Sequence, residues 1–280
     1  MRTAPVSNWR LLNTGYADGA MNMAVDEAIM RCHAAGQSPA TLRFYRWQPA
    51  CLSIGYAQSM AREIDVEKCR ELGFDVVRRP TGGRAIFHER ELTYSLVAMD
   101  GNPHVSGGIV ESYRKISRGM IAGLNRLGVE AVAVDPADAQ RMIRSGLRTP
   151  ACFDSPSHYE VAVGERKILG SAQTRSQGTV LQHGSLLLDS DNGLFFSLLR
   201  FASDERRRFF QDDFEQHVTD LRQVLGREVS FEEVATAIHT GFEEAFGVAF
   251  VPGTLTPDEL ELAGQLRREK YATEAWNFKR

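Results

Sequence analysis

Between Trp9 and Leu188 the chain keeps breaking into short apolar runs, with few helices to separate them. Residues 9–12, 41–47, 51–56, 74–77, 91–98, 129–134, 158–163, 167–174 and 179–188 each read as a strand. In the clearest of them Leu92, Tyr94, Leu96 and Ala98 recur with the period of a pleated surface and share one face. Strands that follow one another in pairs imply antiparallel hairpins. The expected fold is therefore α+β, a mixed, largely antiparallel sheet with flanking helices, and not a doubly wound parallel sheet.

The helices fill the gaps. Residues 19–32 place Met21, Val25, Ile29 and Cys32 at helical spacing, which predicts a buried face. Asn22, Asp26 and Glu27 lie beside that seam and read as charge that complements the helix dipole. A short helix over 65–72 ends at Gly73, and a long one over 109–127 carries the stripe Ile109, Tyr113, Ile116, Met120 and Leu124. After Asp189 the composition turns helical. Residues 194–199 and 214–225 read as helices, Ser230 with Glu233 opens another, and Thr256 with Glu259 caps a last one to about residue 271. No repeat or linker divides the chain, so residues 1–253 are expected to form one domain and 254–280 a helical tail packed on it.

Composition narrows the function classes. The net charge is −3, so no basic field argues for nucleic acid. No run of about 18 apolar residues suggests a membrane span. The first ten residues lack the apolar core of a signal peptide, and a cytoplasmic protein is the expectation.

The four cysteines, Cys32, Cys51, Cys69 and Cys152, show no Cys-x-x-Cys or Cys/His metal spacing, and no metal is expected. Three of them lie in helical or strand-like runs and read as small buried hydrophobes. Cys152 differs. It sits in Ala151-Cys152-Phe153-Asp154-Ser155-Pro156, a loop between two prolines, where a thiol can be exposed and reactive. A thiol attacks only as thiolate, and a nearby cation favours that form. Lys167, at the head of a strand and just before Gly170, Ser171 and Ala172, is one candidate; His158 and His183 are rival bases.

A second unusual stretch runs Arg78-Arg79-Pro80-Thr81-Gly82-Gly83-Arg84-Ala85-Ile86-Phe87-His88. Two glycines in series let a ligand approach the backbone, and successive N–H groups there can hold an anion or a carbonyl oxygen. The alternative is a plain turn with a solvated basic rim. It is neither a P-loop, since no Gly-Lys-Ser/Thr follows, nor a dinucleotide fingerprint, since a strand-like run follows it.

Taken in order, these stretches resemble the motifs of the lipoate–protein ligase and octanoyltransferase superfamily. Arg78 to His88 resembles its RRxxGGxxxxH motif, Lys167 to Gln173 its KxxGSA motif, Gln182 to Leu187 its HGSLL strand, and Lys270 to Arg280 its KYxxxxWN ending. The Cys152 loop, about fifteen residues before the lysine, is similar to that of the LipM-type octanoyltransferases of Gram-positive bacteria. The resemblance implies the biotin/lipoate ligase fold, with residues 1–253 as the catalytic acyltransferase domain. It implies transfer of an octanoyl group from octanoyl-acyl carrier protein to a lysine of a lipoyl-domain protein, the glycine cleavage H protein, in lipoate biosynthesis. Cys152 would carry the acyl thioester and Lys167 would lower the thiol pKa. Arg79, Gly82, Gly83, His88, Gly170, Ser171, Ala172, His183 and Gly184 would bind substrate. No cofactor is implied, because a thioester already carries the activation. The alternative is an ATP-dependent lipoate–protein ligase, which has no use for an acyl-bearing thiol; a non-catalytic binding protein on this scaffold would need neither Cys152 nor Lys167. Two departures stand out: Arg84 follows the double glycine where ligases have a small residue, and His158 stands where the family has tryptophan. Arg114, Lys115, Arg118, Arg141, Arg144 and Arg148 are candidate docking charges for an acidic carrier protein.

Overall fold

A computed structural model describes residues 9–134 and 160–280. Its strands are β1 (Trp9–Ala17), β2 (Thr41–Trp47), β3 (Cys51–Ile54), β4 (Asp75–Arg78), β5 (Ile86–His88), β6 (Glu91–Met99), β7 (Ala131–Val134), β8 (Glu160–Val163), β9 (Arg166–Ser176), β10 (Thr179–Leu187) and β11 (Phe250–Pro252). Its helices are α1 (Gly19–Ala34), α2 (Met60–Glu63), α3 (Val66–Glu71), α4 (Ile109–Arg126), α5 (Asn192–Ser197), α6 (Asp204–His217), α7 (Leu221–Leu225), α8 (Phe231–Phe246), α9 (Pro257–Leu266) and α10 (Glu274–Asn277), with a π-helical turn at Arg267–Tyr271.

Eight strands form one sheet in the order β11-β1-β2-β6-β10-β9-β8-β7, and β4-β3-β5 form a second. The mixed, largely antiparallel α+β architecture is the one the strand pattern predicts. One local inference is corrected. β1 and β2 follow each other but pair in parallel, because α1 lies between them and carries the chain back to the same end. β3, next in sequence, leaves the large sheet and joins β4 and β5.

α1 packs between the large sheet and α9, and Met23, Ala24, Val25, Ala28, Ile29 and Met30 are all buried in that layer. A helix covered on most sides has no solvated face to spare. Asn22, Asp26 and Glu27 are buried with it, so the dipole reading of these residues does not hold. On the other face of the sheet α4 and α8 bury Ile116, Met120, Leu124, Ile238 and Phe242. The helix expected over 214–225 is two helices. Val218 bridges to Lys167, Thr219 N donates to the Lys167 carbonyl at 2.9 Å, and Asp220 caps α7 through Gln223 N at 2.8 Å. These bonds hold residues 218–220 extended. α6 begins earlier than the pattern suggests because its first turns are charged and only Phe210 and Phe214 reach the core.

Residues 254–280 are tied to α1 by charge. Arg267 pairs with Asp18 at 2.7 Å, Lys270 with Glu27 at 2.6 Å, and the Tyr271 hydroxyl donates to Glu27. Cys32, Cys51 and Cys69 are buried, and desolvation pushes each thiol up. No helix of the described residues is long and apolar enough to cross a membrane.

Candidate active site

Strand register fixes the floor of the site. On the sheet face that meets α1, Ala172 of β9 lies opposite His183 of β10, His183 opposite Ser95 of β6, and Ser95 opposite Arg43 of β2. A second row, one pleat along, runs Gly170, Ser185, Thr93, Tyr45. The rows are small at β9, medium in the middle and large at β2. A cavity of about 330 Å³ lies over them, with Met23 of α1, Trp47 of β2, and Arg79, Ile86 and His88 completing its walls.

The cavity is lined by hydroxyl side chains yet offers them little to bond. Ser185 and Thr93 donate to Glu91, and Ser95 donates to Asp26 at 2.7 Å. The Ser185 and Thr93 hydroxyls of the lining are thus used by a buried carboxylate, and that of Ser171 bonds to the Tyr94 hydroxyl at 2.9 Å, which leaves methylene and methyl groups for an apolar occupant.

The two carboxylates anchor separate networks. Asp26 accepts from Arg43 at 2.6 Å, from the Tyr45 hydroxyl at 3.0 Å and from His183 Nδ1 at 3.0 Å. Burial would raise the Asp26 pKa, but the Arg43 charge, with the His183 and Ser95 bonds, outweighs it and holds the carboxyl below its usual range. Burial lowers the His183 pKa despite Asp26, and the Arg79 and His88 charges add to the shift. A neutral ring beside a carboxylate must carry its proton on Nδ1. Nε2 then accepts from the Thr81 hydroxyl at 2.7 Å.

Glu91 has no guanidinium of its own. Burial raises its pKa, and the bonds from His88, Ser185 and Thr93 overcome that and keep it low. Arg79 donates to Ser53 at 2.6 Å, the Ser53 hydroxyl and His88 Nε2 are hydrogen-bonded at 2.6 Å, and His88 Nδ1 donates to Glu91 at 2.7 Å. Trp47 stacks on the His88 ring with centroids 4.0 Å apart, and its indole N–H donates to Thr93 at 2.7 Å. Arg79 also donates to the carbonyls of Gly82 and Arg84, so it joins the double-glycine loop to the cavity wall.

The structure brings Arg79, His88, Gly170, Ser171, Ala172, His183 and Gly184 to this one cavity. Gly82 and Gly83 stand apart from it. Both are exposed, and the Gly83 carbonyl packs on Gly55 so closely that a Cβ there would lie 2.0 Å from its oxygen. Arg78, fully buried below them, gives its guanidinium to five main-chain carbonyls, of Gly55, Tyr56, Gln58, Trp276 and Asn277. The WN pair of the tail therefore holds the loop from beneath. Lys167 is buried on β9, upstream of Gly170, and does not line the cavity. Cys152, His158 and Arg141, Arg144 and Arg148 lie outside the described residues. Of the other docking candidates, Arg114 and Arg118 are exposed, and Lys115 is tied to Glu111 at 3.3 Å and to Ser106.

Met23, Tyr45, Trp47, Ile86, Thr93 and Ser185 line the cavity without standing out in the sequence as site residues, and the Asp26 and Glu91 networks behind them are equally hidden there. Arg43, in a strand otherwise carrying large apolar residues, was a usable signal for a buried counter-ion. Thr93 and Ser185 carried none, since small hydroxyl residues in strands are ordinary.

A pocket between a mixed sheet and a buried helix, lined by Met23, Trp47 and Ile86 beside small residues, suits a small, largely apolar ligand. The family model described as the lipoyl protein ligase A/B catalytic domain matches residues 18–243. The octanoyltransferase LipM of Kyrpidia tusciae is 47% identical over 275 residues, 98% of this chain and 100% of that protein. The octanoyltransferase LipM of Bacillus subtilis is 38% identical over 273 residues, covering 97% and 98%. Among solved structures, a chain of the archaeal lipoylation system of Thermoplasma acidophilum, a bi-partite lipoate protein ligase and its E2 lipoyl domain, superposes with a TM-score of 0.79 at 28% identity, covering 97% of this chain and 96% of that one. The chain belongs to the lipoyl protein ligase A/B catalytic family, among the LipM-type octanoyltransferases. It is an acyltransferase of protein lipoylation.

Proposed function

We propose that the chain takes an octanoyl group from octanoyl-acyl carrier protein onto Cys152 and passes it to a lysine of a lipoyl-domain protein, the glycine cleavage H protein. The Cys152 thiolate attacks the thioester carbonyl, the carrier thiolate leaves and takes up a proton, and an acyl-cysteine forms. The neutral amine of the acceptor lysine then attacks. The amide forms, the amine gives up a proton, and the Cys152 thiol is restored. Lys167 favours the thiolate by its charge. Arg79, Gly82, Gly83, His88, Gly170, Ser171, Ala172, His183 and Gly184 bind the acyl donor, the glycines by leaving backbone accessible.

The observation that supports this best is the slot itself. Its Ser185 and Thr93 hydroxyls are spent on Glu91 and its Tyr45 hydroxyl on Asp26, and it ends at Gly170–Ala172 on the strand that also carries the buried Lys167. That arrangement suits an alkyl chain whose carbonyl emerges beside a cation.

The test is incubation with octanoyl-acyl carrier protein in the absence of ATP, read by intact-protein and peptide mass spectrometry. An octanoyl adduct on Cys152 is expected. An adduct that persists in Cys152→Ala would falsify the assignment. Transfer that requires ATP and free octanoic acid, with release of AMP, would place the chain with the ligases instead. For Lys167→Ala the alkylation rate of the Cys152 thiol near neutral pH should fall; an unchanged rate against pH removes the lysine from its role.

A further inference from the structure

Tyr56 and Trp276 form a wedge that holds a lysine amine. Their ring centres are 5.9 Å apart at an interplanar angle of 62°. Lys279 Nζ sits between them, 3.4 Å from the Tyr56 centre and 3.5 Å from that of Trp276. A second lysine, Lys270, lies 4.1 Å from the Trp276 ring, but Glu27 holds it at 2.6 Å. Among the described residues no carboxylate pairs with Lys279, and the two ring faces are what attract it.

The fold holds both rings in place. Arg78, fully buried, donates to the carbonyls of Tyr56 at 2.9 Å and Trp276 at 3.1 Å, and the Trp276 indole N–H donates to the Arg78 carbonyl at 2.9 Å. The same bonding joins the wedge to the cavity. Tyr56 N donates to the Thr81 carbonyl at 2.8 Å, and the Thr81 hydroxyl is hydrogen-bonded at 2.7 Å to His183 of the cavity lining. Tyr56 is 42% exposed, so a side chain from another protein can reach its ring.

The surroundings suit an amine that has to react. The rings favour the ammonium. Burial opposes it, as do the Arg78, Lys270 and Arg280 charges, and the Lys279 pKa comes down to about 8. An amine held there is ordered yet readily neutral, and the neutral form is the one that attacks a thioester.

We propose that the Tyr56–Trp276 wedge receives the lysine side chain of the acceptor protein, and that Lys279 occupies it until the acceptor arrives. The proposal rests on the reading that an acyl-enzyme passes its group to a partner's lysine. The acceptor lysine replaces Lys279 between the rings, with its methylene stem packed along them. Lys279 thus competes with the acceptor and takes no part in loading the enzyme with the acyl group.

The experiment separates the two half-reactions. Loading is followed as formation of octanoyl-enzyme from octanoyl-acyl carrier protein. Delivery is followed as transfer from preloaded enzyme to a lipoyl-domain protein at a series of concentrations, both by intact mass. Lys279→Ala should lower the acceptor concentration for half-maximal delivery about threefold, the scale of an exposed cation–π contact, and leave loading as in the parent. Tyr56→Leu, which keeps apolar bulk without an aromatic face, should raise that concentration about threefold or more. Tyr56→Phe should restore the parent value. In Lys279→Ala combined with Tyr56→Leu the gain from removing the lysine should shrink, since one wall of the wedge is gone. An acceptor dependence unchanged in both single variants overturns the proposal and leaves the transferase reading intact. So does a loss of loading in Tyr56→Leu that matches its loss of delivery, because the wedge would then only support the double-glycine loop. Failure of the unmodified enzyme to load or to deliver overturns the transferase reading, and the wedge with it.

Discussion

The Gly82–Gly83 loop and the Gly170–Gly184 wall both stand out as glycines placed for a ligand, but the fold uses them differently. Gly170 and Gly184 lie opposite small residues across β9 and β10 and give the slot its open end. Gly184 also has a reason that faces away from the slot, since a Cβ there would lie 2.6 Å from the Gly170 carbonyl and 2.7 Å from the Tyr94 ring. Gly83 adopts φ +91°, which only glycine takes up without strain, and its carbonyl is pressed against Gly55. Gly82 has nothing within 4 Å of where a Cβ would stand. A glycine in a sequence records that a side chain is missing; the neighbour across the gap says why.

The sharpest way to test that difference is at Gly55, on the receiving side of the loop. A Cβ there meets only backbone, the Gly83 oxygen and carbon and the Gly82 carbon, and backbone cannot rotate away. Gly55→Ala should destabilise the fold by about 3 kcal/mol, at the upper end of overpacking costs. The melting temperature should fall by roughly 6 °C or more. A variant that melts within a degree of the parent would show that the loop is not clamped. Gly184→Ala comes next. One of its contacts is backbone, but Ser171 and Tyr94 are side chains that can give, so about 1–3 kcal/mol is expected. Because Gly170 lines the slot, KM for the acyl donor should also rise. A change in stability with KM untouched would separate the sheet contact from the site.

The two regions meet at His183, which takes a hydrogen bond from Thr81 of the loop and gives one to Asp26 beneath the slot. Burial, with the Arg79 and His88 charges, holds its folded pKa below 6.5. Above pH 6.5 the ring is neutral folded or unfolded, and the contribution is intact. As pH falls below 6.5 the unfolded chain takes up a proton that the folded chain resists, so stability drops until the folded value is passed. Asp26 adds a second loss in more acid solution. Its folded pKa lies below 3.8, so its contribution is present above 3.8 and disappears as pH falls through the folded value. Unfolding free energies measured at pH 8 and pH 5.5 should therefore differ more for the parent than for His183→Asn. Equal losses would mean that the ring protonates freely and that the loop and wall are not joined through it.

How much of this was legible in the sequence follows from the range of each interaction. Alternation in β6 is local and predicts that strand directly. The parallel pairing of β1 and β2 depends on where α1 packs, which no pattern inside either strand records. The break at residues 218–220 comes from a bridge to Lys167, which lies on a distant strand. The site was legible in its glycines, histidines and Arg79, because those residue types are unusual in strands and turns. It was not legible in Asp26, whose position near a helix start has an ordinary explanation until Arg43 is seen opposite. Nor was it legible in Met23 and Tyr45, which are ordinary core residues in every respect except the empty volume beside them.

The smallest effect is expected at Gly82, where the sequence suggests one of the largest. The residue is exposed, its φ is not in the left-handed region, and open space surrounds the Cβ position. Gly82→Ala should leave stability within about 0.5 kcal/mol of the parent, as for surface changes away from special geometry. If the loop only packs against Gly55, octanoyl transfer should be unchanged as well. If the Gly82 backbone approaches the donor during reaction, a methyl group would stand in its path, and KM for octanoyl-acyl carrier protein would rise with no loss of stability. That single substitution therefore decides between a loop that shapes the wall from outside and a loop that touches the substrate. The carbonyl of Gly82, held by Arg79 at 3.1 Å, is the group through which even the first kind of loop would still be felt in the slot.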